Sequence, residues 1–291
     1  MAGGDFYARE FGRKHRLIGK LSRYCRAITY TSRSGISKGM RRRGGLGFLP
    51  SFLTKETAEV KFLKGLSLND AVVYDIGGYE GLMTLFFARV AQQVVTYEAN
   101  PENVGRIAEN LRLNRFKNCI VRQIAIGEQD GLVTLTFDEL MVGRASVDPE
   151  ICDELAKSSP HIRIVQVPLT SLDNDVERFA LPDPTFIKID IEGMEAAALT
   201  GMKRIIARCH PAMFIELHGT TPEDKRTNAR AVMAQLRACG YRIYDVEAAC
   251  YIPEAEPGTG RESHLYAAHE TQKVTKKQNS EAGERSLSNL A

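Results

Sequence analysis

Ten residues narrow the fold of this 291-residue chain more than any others: Val72-Val73-Tyr74-Asp75-Ile76 runs into Gly77-Gly78-Tyr79-Glu80-Gly81, and a helical pattern of Leu82, Leu85, Phe86 and Arg89 follows directly. A β-branched strand that enters a glycine turn and leaves as a helix is the nucleotide-binding unit of open α/β sheets. Gly77 and Gly81 are spaced G-x-x-x-G, whereas dinucleotide folds carry G-x-G-x-x-G, and an acid, Asp75, stands two residues before Gly77. That carboxylate would repel a pyrophosphate and suits a cationic ligand. The next strand, Val94 to Glu98, ends on a second acid where a ribose diol is gripped. A nucleoside with a cationic arm meets both demands, and S-adenosylmethionine is such a molecule.

Strand and helix then alternate. Asn100 as N-cap, Pro101 at the first helical position and Glu102 in the first turn mark a helix whose Val104, Ile107, Ala108 and Leu111 share one face. Cys119 to Ile124 reads as a third strand. Gly131 to Phe137 and Ile162 to Val167 read as additional strands around a polar insert, Asp138 to Pro160. Phe186 to Ile191 is nearly continuous apolar text, as in a parallel strand covered on both faces, and carries Asp190 at its carboxyl end. Gly193 opens another helix. A fifth strand, Ala212 to Leu217, leads to His218, and Thr221, Pro222 and Asp224 form a capping-box-like start to a helix running to Gly240. Tyr241 to Val246 and His264 to Ala268 close the series as two more strands.

Four segments, D-I-G-G-Y-E-G at 75–81, Y-E-A-N-P-E-N at 97–103, F-I-K-I-D-I-E-G-M-E at 186–195 and F-I-E-L-H at 214–218, resemble in type and order those of the FkbM-type S-adenosylmethionine-dependent methyltransferases, over residues 70 to 220. The resemblance implies a Rossmann-like class I methyltransferase fold: α/β, a seven-stranded, mostly parallel sheet with helices on both faces. It also implies methylation of a hydroxyl oxygen on a sugar, a glycolipid or a secondary metabolite. Tyr79 departs from the pattern, because the family often carries a small polar residue there, commonly Asn.

Ligands of open α/β sheets sit beyond the carboxyl ends of the strands, where Asp75, Glu98, Asp190, Glu216 and His218 gather. The cofactor is expected on Asp75, Gly77, Gly78, Gly81, Glu98, Gln123, Ile124 and Asp190. Asp190, Glu192 and His218 are the candidates for catalysis, with an imidazole near pKa 6.5 suited to take the acceptor's proton. Glu195 reads as a surface or capping acid, and Lys188 as a partner of Asp190. Asp190, Glu216 and His218 could offer oxygen and nitrogen ligands to a hard divalent ion, but no third compelling carboxylate accompanies them, and no metal is assigned.

Composition bounds the rest. A 43% hydrophobic content supports one generous α/β core. Six cysteines without a C-x-x-C pair, mostly within apolar runs, read as reduced buried thiols of a cytoplasmic protein. Neither a spanning apolar run nor a signal-like start is visible. Residues 1–45 hold twelve Lys or Arg against Asp5 and Glu10, with an amphipathic spacing of Tyr7, Phe11, Ile18, Leu21, Cys25 and Ile28. This basic extension could cap the catalytic domain or contact an anionic membrane or substrate; no nucleic-acid motif accompanies it. The text from Arg41 to Ser51 reads as a linker, residues 46–270 as the methyltransferase domain and 271–291 as a disordered polar tail. Two other classes fit the opening motif less well: a nicotinamide-dinucleotide oxidoreductase and a methyltransferase-fold protein that binds without turnover.

Overall fold

The computed structural model describes residues 28–33, 35–43, 56–138, 145–146 and 162–270. Most of the basic extension, most of the 138–160 insert and the tail after residue 270 lie outside the described residues. The first described element is a hairpin of β1 (Thr29–Thr31) and β2 (Arg41–Arg43). Arg41 to Arg43 therefore begins as strand and not as linker. The reason is local: Asn114 Oδ1 and Asn110 Oδ1 accept from the backbone N–H groups of Arg41 (2.9 Å) and Arg43 (2.8 Å), and Arg43 pairs with Glu109.

The main sheet is built from β3 (Val72–Ile76), β4 (Gln93–Tyr97), β5 (Cys119–Arg122), β10 (Phe186–Ile189), β11 (Ala212–Glu216), β12 (Tyr241–Asp245), β13 (Cys250–Tyr251) and β14 (His264–His269). Its spatial order is β13-β12-β14-β11-β10-β3-β4-β5. The five strands from β5 to β11 run parallel, and β14, β12 and β13 pair antiparallel at the other side. The seven expected strands are all present, with two-residue β13 as an eighth at the edge. The remaining elements, β6 (Ala125–Ile126), β7 (Gly131–Asp138), β8 (Ala145–Ser146) and β9 (Ile162–Thr170), form a separate four-stranded sheet in the order β6-β9-β7-β8.

Helices cover both faces. On one lie α1 (Ala58–Lys64), α2 (Leu82–Val90) and α3 (Pro101–Leu113), whose Leu63, Leu85, Phe87, Ile107 and Leu111 pack on Val73, Val94, Phe186 and Phe214. On the other lie α4 (Leu172–Phe179), α5 (Glu195–Thr200), α6 (Lys203–Cys209) and α7 (Pro222–Ala238), with Leu172, Leu199, Ile206 and Val232 against Tyr74, Ile187 and Met213. Adjacent strand residues such as Val73 and Tyr74 serve opposite clusters, which is the period-two consequence of a pleated strand. The expected caps form: Asn100 Oδ1 accepts from Glu102 N, and Thr221 and Asp224 complete a capping box at α7. Helix α5 begins at Glu195, two residues later than Gly193 suggested, because Glu192 (φ 50°) and Gly193 (φ 94°) make a left-handed turn that Met194 N closes onto Ile191 O. Cys239 and Cys250 are exposed and Cys119 and Cys209 half-buried, so the described thiols are less buried than the apolar runs implied.

Candidate functional site

At the carboxyl ends of the parallel strands lies a cavity of about 380 Å³. Gly77, Glu98, Ile124, Asp190, Glu192, Glu216 and His218 all line it, although they come from five separate stretches of chain. Its apolar side is Ile124, Ile126, Leu135 and Leu169, the last three supplied by the second sheet. That sheet thus forms one wall of the cavity, a role its alternating pattern did not reveal.

The glycine turn is pinned to the end of β4, where Tyr97 O accepts from both Gly77 N (2.9 Å) and Gly78 N (3.0 Å). Gly77 has φ 86°, and a Cβ there would stand 1.8 Å from the carbonyl oxygen of Asp190, so only glycine lets the two strand ends touch. Gly78 and Gly81 do not line the cavity. They allow close packing instead: a Cβ would meet Thr96 at Gly78 and Ile107 at Gly81.

Asp75 is the first correction. It belongs to the body of β3, not to its end, and the pleat turns it toward α2 rather than toward the cavity. There it is fully buried, accepting from Thr84 Oγ1 at 2.6 Å, with Lys188 Nζ 3.9 Å from its other oxygen. Burial raises its pKa, opposed by Lys188 and Thr84. Gln123 is exposed and does not line the cavity, whereas its neighbour Ile124 does.

Glu98 follows β4 and is only 9% exposed. Its Oε2 accepts from Tyr79 N (2.7 Å), and its Oε1 from Asn100 N (2.8 Å) and weakly from Asn103 Nδ2 (3.4 Å). A carboxylate offers about four lone-pair sites, which leaves capacity for a ligand. Burial pushes its pKa up to about 7 against those hydrogen bonds. Tyr79 itself sits at φ 48°, in the left-handed region that Asn tolerates better than other non-glycine residues.

Asp190, Glu216 and His218 meet at the other end. Lys188 Nζ, almost fully buried, donates to Asp190 Oδ2 at 2.7 Å; burial alone would lower the ammonium's pKa, but Asp190 and Asp75 raise it. His218 Nδ1 lies 2.9 Å from Glu195 Oε1, and its Nε2 lies 3.5 Å from Glu216 Oε1 and 3.6 Å from Asp190 Oδ1. Glu195 is a second correction, because it is fully buried beneath the site. It also accepts from Gly193 N and Asn228 Nδ2, which fixes its orientation. The signal for it, the closing acid of the K-I-D-I-E-G-M-E segment, carries no periodic mark; only folding brings it to His218.

A third correction concerns His218 as a base. Burial would lower its pKa, yet the hydrogen bond to Glu195 and the neighbouring Glu216 carboxylate outweigh that and push it up to about 10. A protonated imidazole has no lone pair for an acceptor's proton. Glu216 is held well below its ordinary range by His218 and by His264, whose own pKa is pushed up to about 9 although burial opposes it. His264, backed by Glu247 at 2.6 Å, went unnoticed in the sequence because it is far from the motifs, at the start of β14.

The sequence matches the FkbM methyltransferase domain over residues 72–243, more than half of the chain. Among solved structures it is similar to an FkbM methyltransferase from Methylobacillus flagellatus, with 20% identity, TM-score 0.44, and coverage of 68% of this chain and 44% of that one. The chain thus spans less than half the length of that protein. A putative methyltransferase from Streptococcus mutans in complex with SAH matches 74% of this chain and 98% of its own, at 11% identity and TM-score 0.44. Aeropyrum pernix fibrillarin with bound S-adenosyl-L-methionine matches 71% and 72%, at 13% identity and TM-score 0.40. No curated protein matches the chain significantly. Among the described residues no helix is long and apolar enough to cross a membrane.

Proposed function

Because the chain belongs to the FkbM methyltransferase family, we propose that it transfers a methyl group from S-adenosylmethionine to a hydroxyl oxygen of a sugar, a glycolipid or a secondary metabolite. One observation carries this reading: a single cavity joins the glycine turn and Glu98 to the cluster of Asp190, Glu216 and His218. The first group suits the donor and the second a polar acceptor.

The residues present fit such a donor. Asn103 lines the cavity, is 2% exposed, and its Oδ1 is a buried acceptor without a hydrogen-bond partner, ready for a ligand N–H or O–H. Glu98 would hold the ribose hydroxyls, Ile124, Ile126, Leu135 and Leu169 the base, and the Gly77 turn with Asp190 the amino-acid arm. When bound, the donor supplies an electrophilic methyl group on a sulfonium. The protein's task is then alignment, which is worth effective molarities of about 10⁵ M or more, against about 10² to 10⁴ from a general base. His218 and Glu216 would orient the acceptor, and Glu192, at the exposed rim, would take the hydroxyl proton and pass it to water. For the basic extension of residues 1–45 we propose either a cap on the catalytic domain or peripheral contact with an anionic membrane or anionic acceptor.

Calorimetric titration of S-adenosylhomocysteine tests this reading, with a nicotinamide dinucleotide as control. We expect binding to the wild type that weakens about ten- to hundredfold in Glu98→Ala, the loss of one or two charge-assisted hydrogen bonds. Binding of the dinucleotide alone would overturn the proposal.

A further inference from the structure

We propose that Asp190, Glu216 and His218 form a site for one divalent metal ion at the floor of the cavity. Their ligand atoms, one from each residue, lie within 4.8 Å of one another. The separations of His218 Nε2 from Glu216 Oε1 (3.5 Å) and from Asp190 Oδ1 (3.6 Å) exceed the roughly 2.7–2.9 Å of charge-assisted hydrogen bonds. They are close to the spacing of neighbouring ligands on an ion: bonds of about 2.1 Å place donor atoms about 3.0 Å apart at right angles and about 3.4 Å apart at the tetrahedral angle, so a shift of roughly half an ångström closes the site.

The outer atoms of the trio are held as a metal site requires. His218 turns Nδ1 to fully buried Glu195, itself anchored by Asn228 and Gly193 N, so its Nε2 faces the two carboxylates. This is the carboxylate–histidine arrangement that sets the tautomer and direction of a metal-binding imidazole. Lys188 holds Asp190 Oδ2 at 2.7 Å, so that Oδ1 is the oxygen turned toward His218. The sequence offered no third carboxylate to support a metal; the fold supplies one in Glu195, as the imidazole's partner rather than as a ligand.

Two carboxylates and one imidazole, without a thiolate, select a hard or borderline ion such as Mg²⁺ or Mn²⁺. Three protein ligands leave positions open toward the cavity. If the methyltransferase reading holds, on which this role rests, the ion polarises the acceptor hydroxyl and favours loss of its proton.

Titration of Mn²⁺ into the full-length protein without donor, read as loss of the free-ion signal in electron paramagnetic resonance, tests the site. The expected result is saturable binding of one ion per chain, weakened at least tenfold in Glu216→Gln and His218→Ala, and about ten- to hundredfold in Glu195→Gln, which touches no ion. Surface Glu223→Gln is expected to bind as the wild type does. Circular dichroism reports whether each variant folds, and Glu216→Gln decides the question if His218→Ala does not. Absence of saturable binding, or binding equal in wild type and Glu216→Gln, overturns the proposal. S-adenosylhomocysteine calorimetry on the same sample separates the two readings: donor binding without Mn²⁺ binding removes the ion alone, and Mn²⁺ binding without donor binding keeps the site and removes the methyltransferase reading.

Discussion

Glu98 shows how one side chain can couple a ligand to the fold. It is buried at the helix start, holds the backbone of the glycine turn through Tyr79 N, and still borders the cavity. Its pKa of about 7 stands above the unfolded value, so its contribution to stability is full below about pH 4 and is lost as the pH rises through about 7. Glu98→Gln cannot ionise; its melting temperature relative to wild type should therefore rise between about pH 5 and pH 8, and a constant difference would contradict the assignment. Over the same range the wild type should bind S-adenosylhomocysteine more tightly as the carboxylate forms. Gly77 makes a second prediction at this scale. Alanine would be forced to φ 86° with its Cβ 1.8 Å from Asp190 O, so Gly77→Ala should cost about 3 kcal/mol or more in chemical denaturation. The position of Glu98 at the cavity was legible from its place after a strand. That Asp75 faces α2 was not, because the motif shows an acid before a glycine but not where the strand ends.

At the scale of elements, the site depends on where strands stop and helices start. Asn100 is fully buried, caps α3 through Glu102 N, and offers its own N–H to Glu98. Asn100→Ala should remove about 1 kcal/mol of stability and leave the backbone donor to Glu98 in place, so donor affinity should fall far less than in Glu98→Ala. Comparable losses in calorimetry would show that the side-chain cap, not the N–H, sets the carboxylate. Caps and parallel strands could be read from the chain because their causes are local: Asn100-Pro101, the Thr221 to Asp224 box, and the apolar run from Phe186. The turn after β10 could not. Its left-handed Glu192 has no compositional mark, and it moves the start of α5 so that Glu195 points beneath His218.

Across the whole molecule, one sheet runs between two apolar clusters, and β3 and β10 at its centre are covered on both faces. The second sheet is different: Leu132 and Ile164 on its outer side are 70% and 63% exposed. Amide hydrogen exchange should accordingly be slowest in β3 and β10 and faster in β7 and β9, and equal protection would indicate that something covers the outer face of the second sheet. Donor binding should slow exchange in β7 and β9 if Leu135 and Leu169 contact the base. The sequence by itself determined the alternation of strand and helix, the glycine turn and the acids at the strand ends, because each follows from periodicity, capping or backbone sterics within a few residues. Only the tertiary structure decided that residues 131–138 and 162–170 wall the cavity, that Asp75 is withdrawn from it, and that Glu195 and His264 bracket the Glu216–His218 pair. Those are distances between segments far apart in the chain, set by sheet order and packing, and no local pattern encodes them.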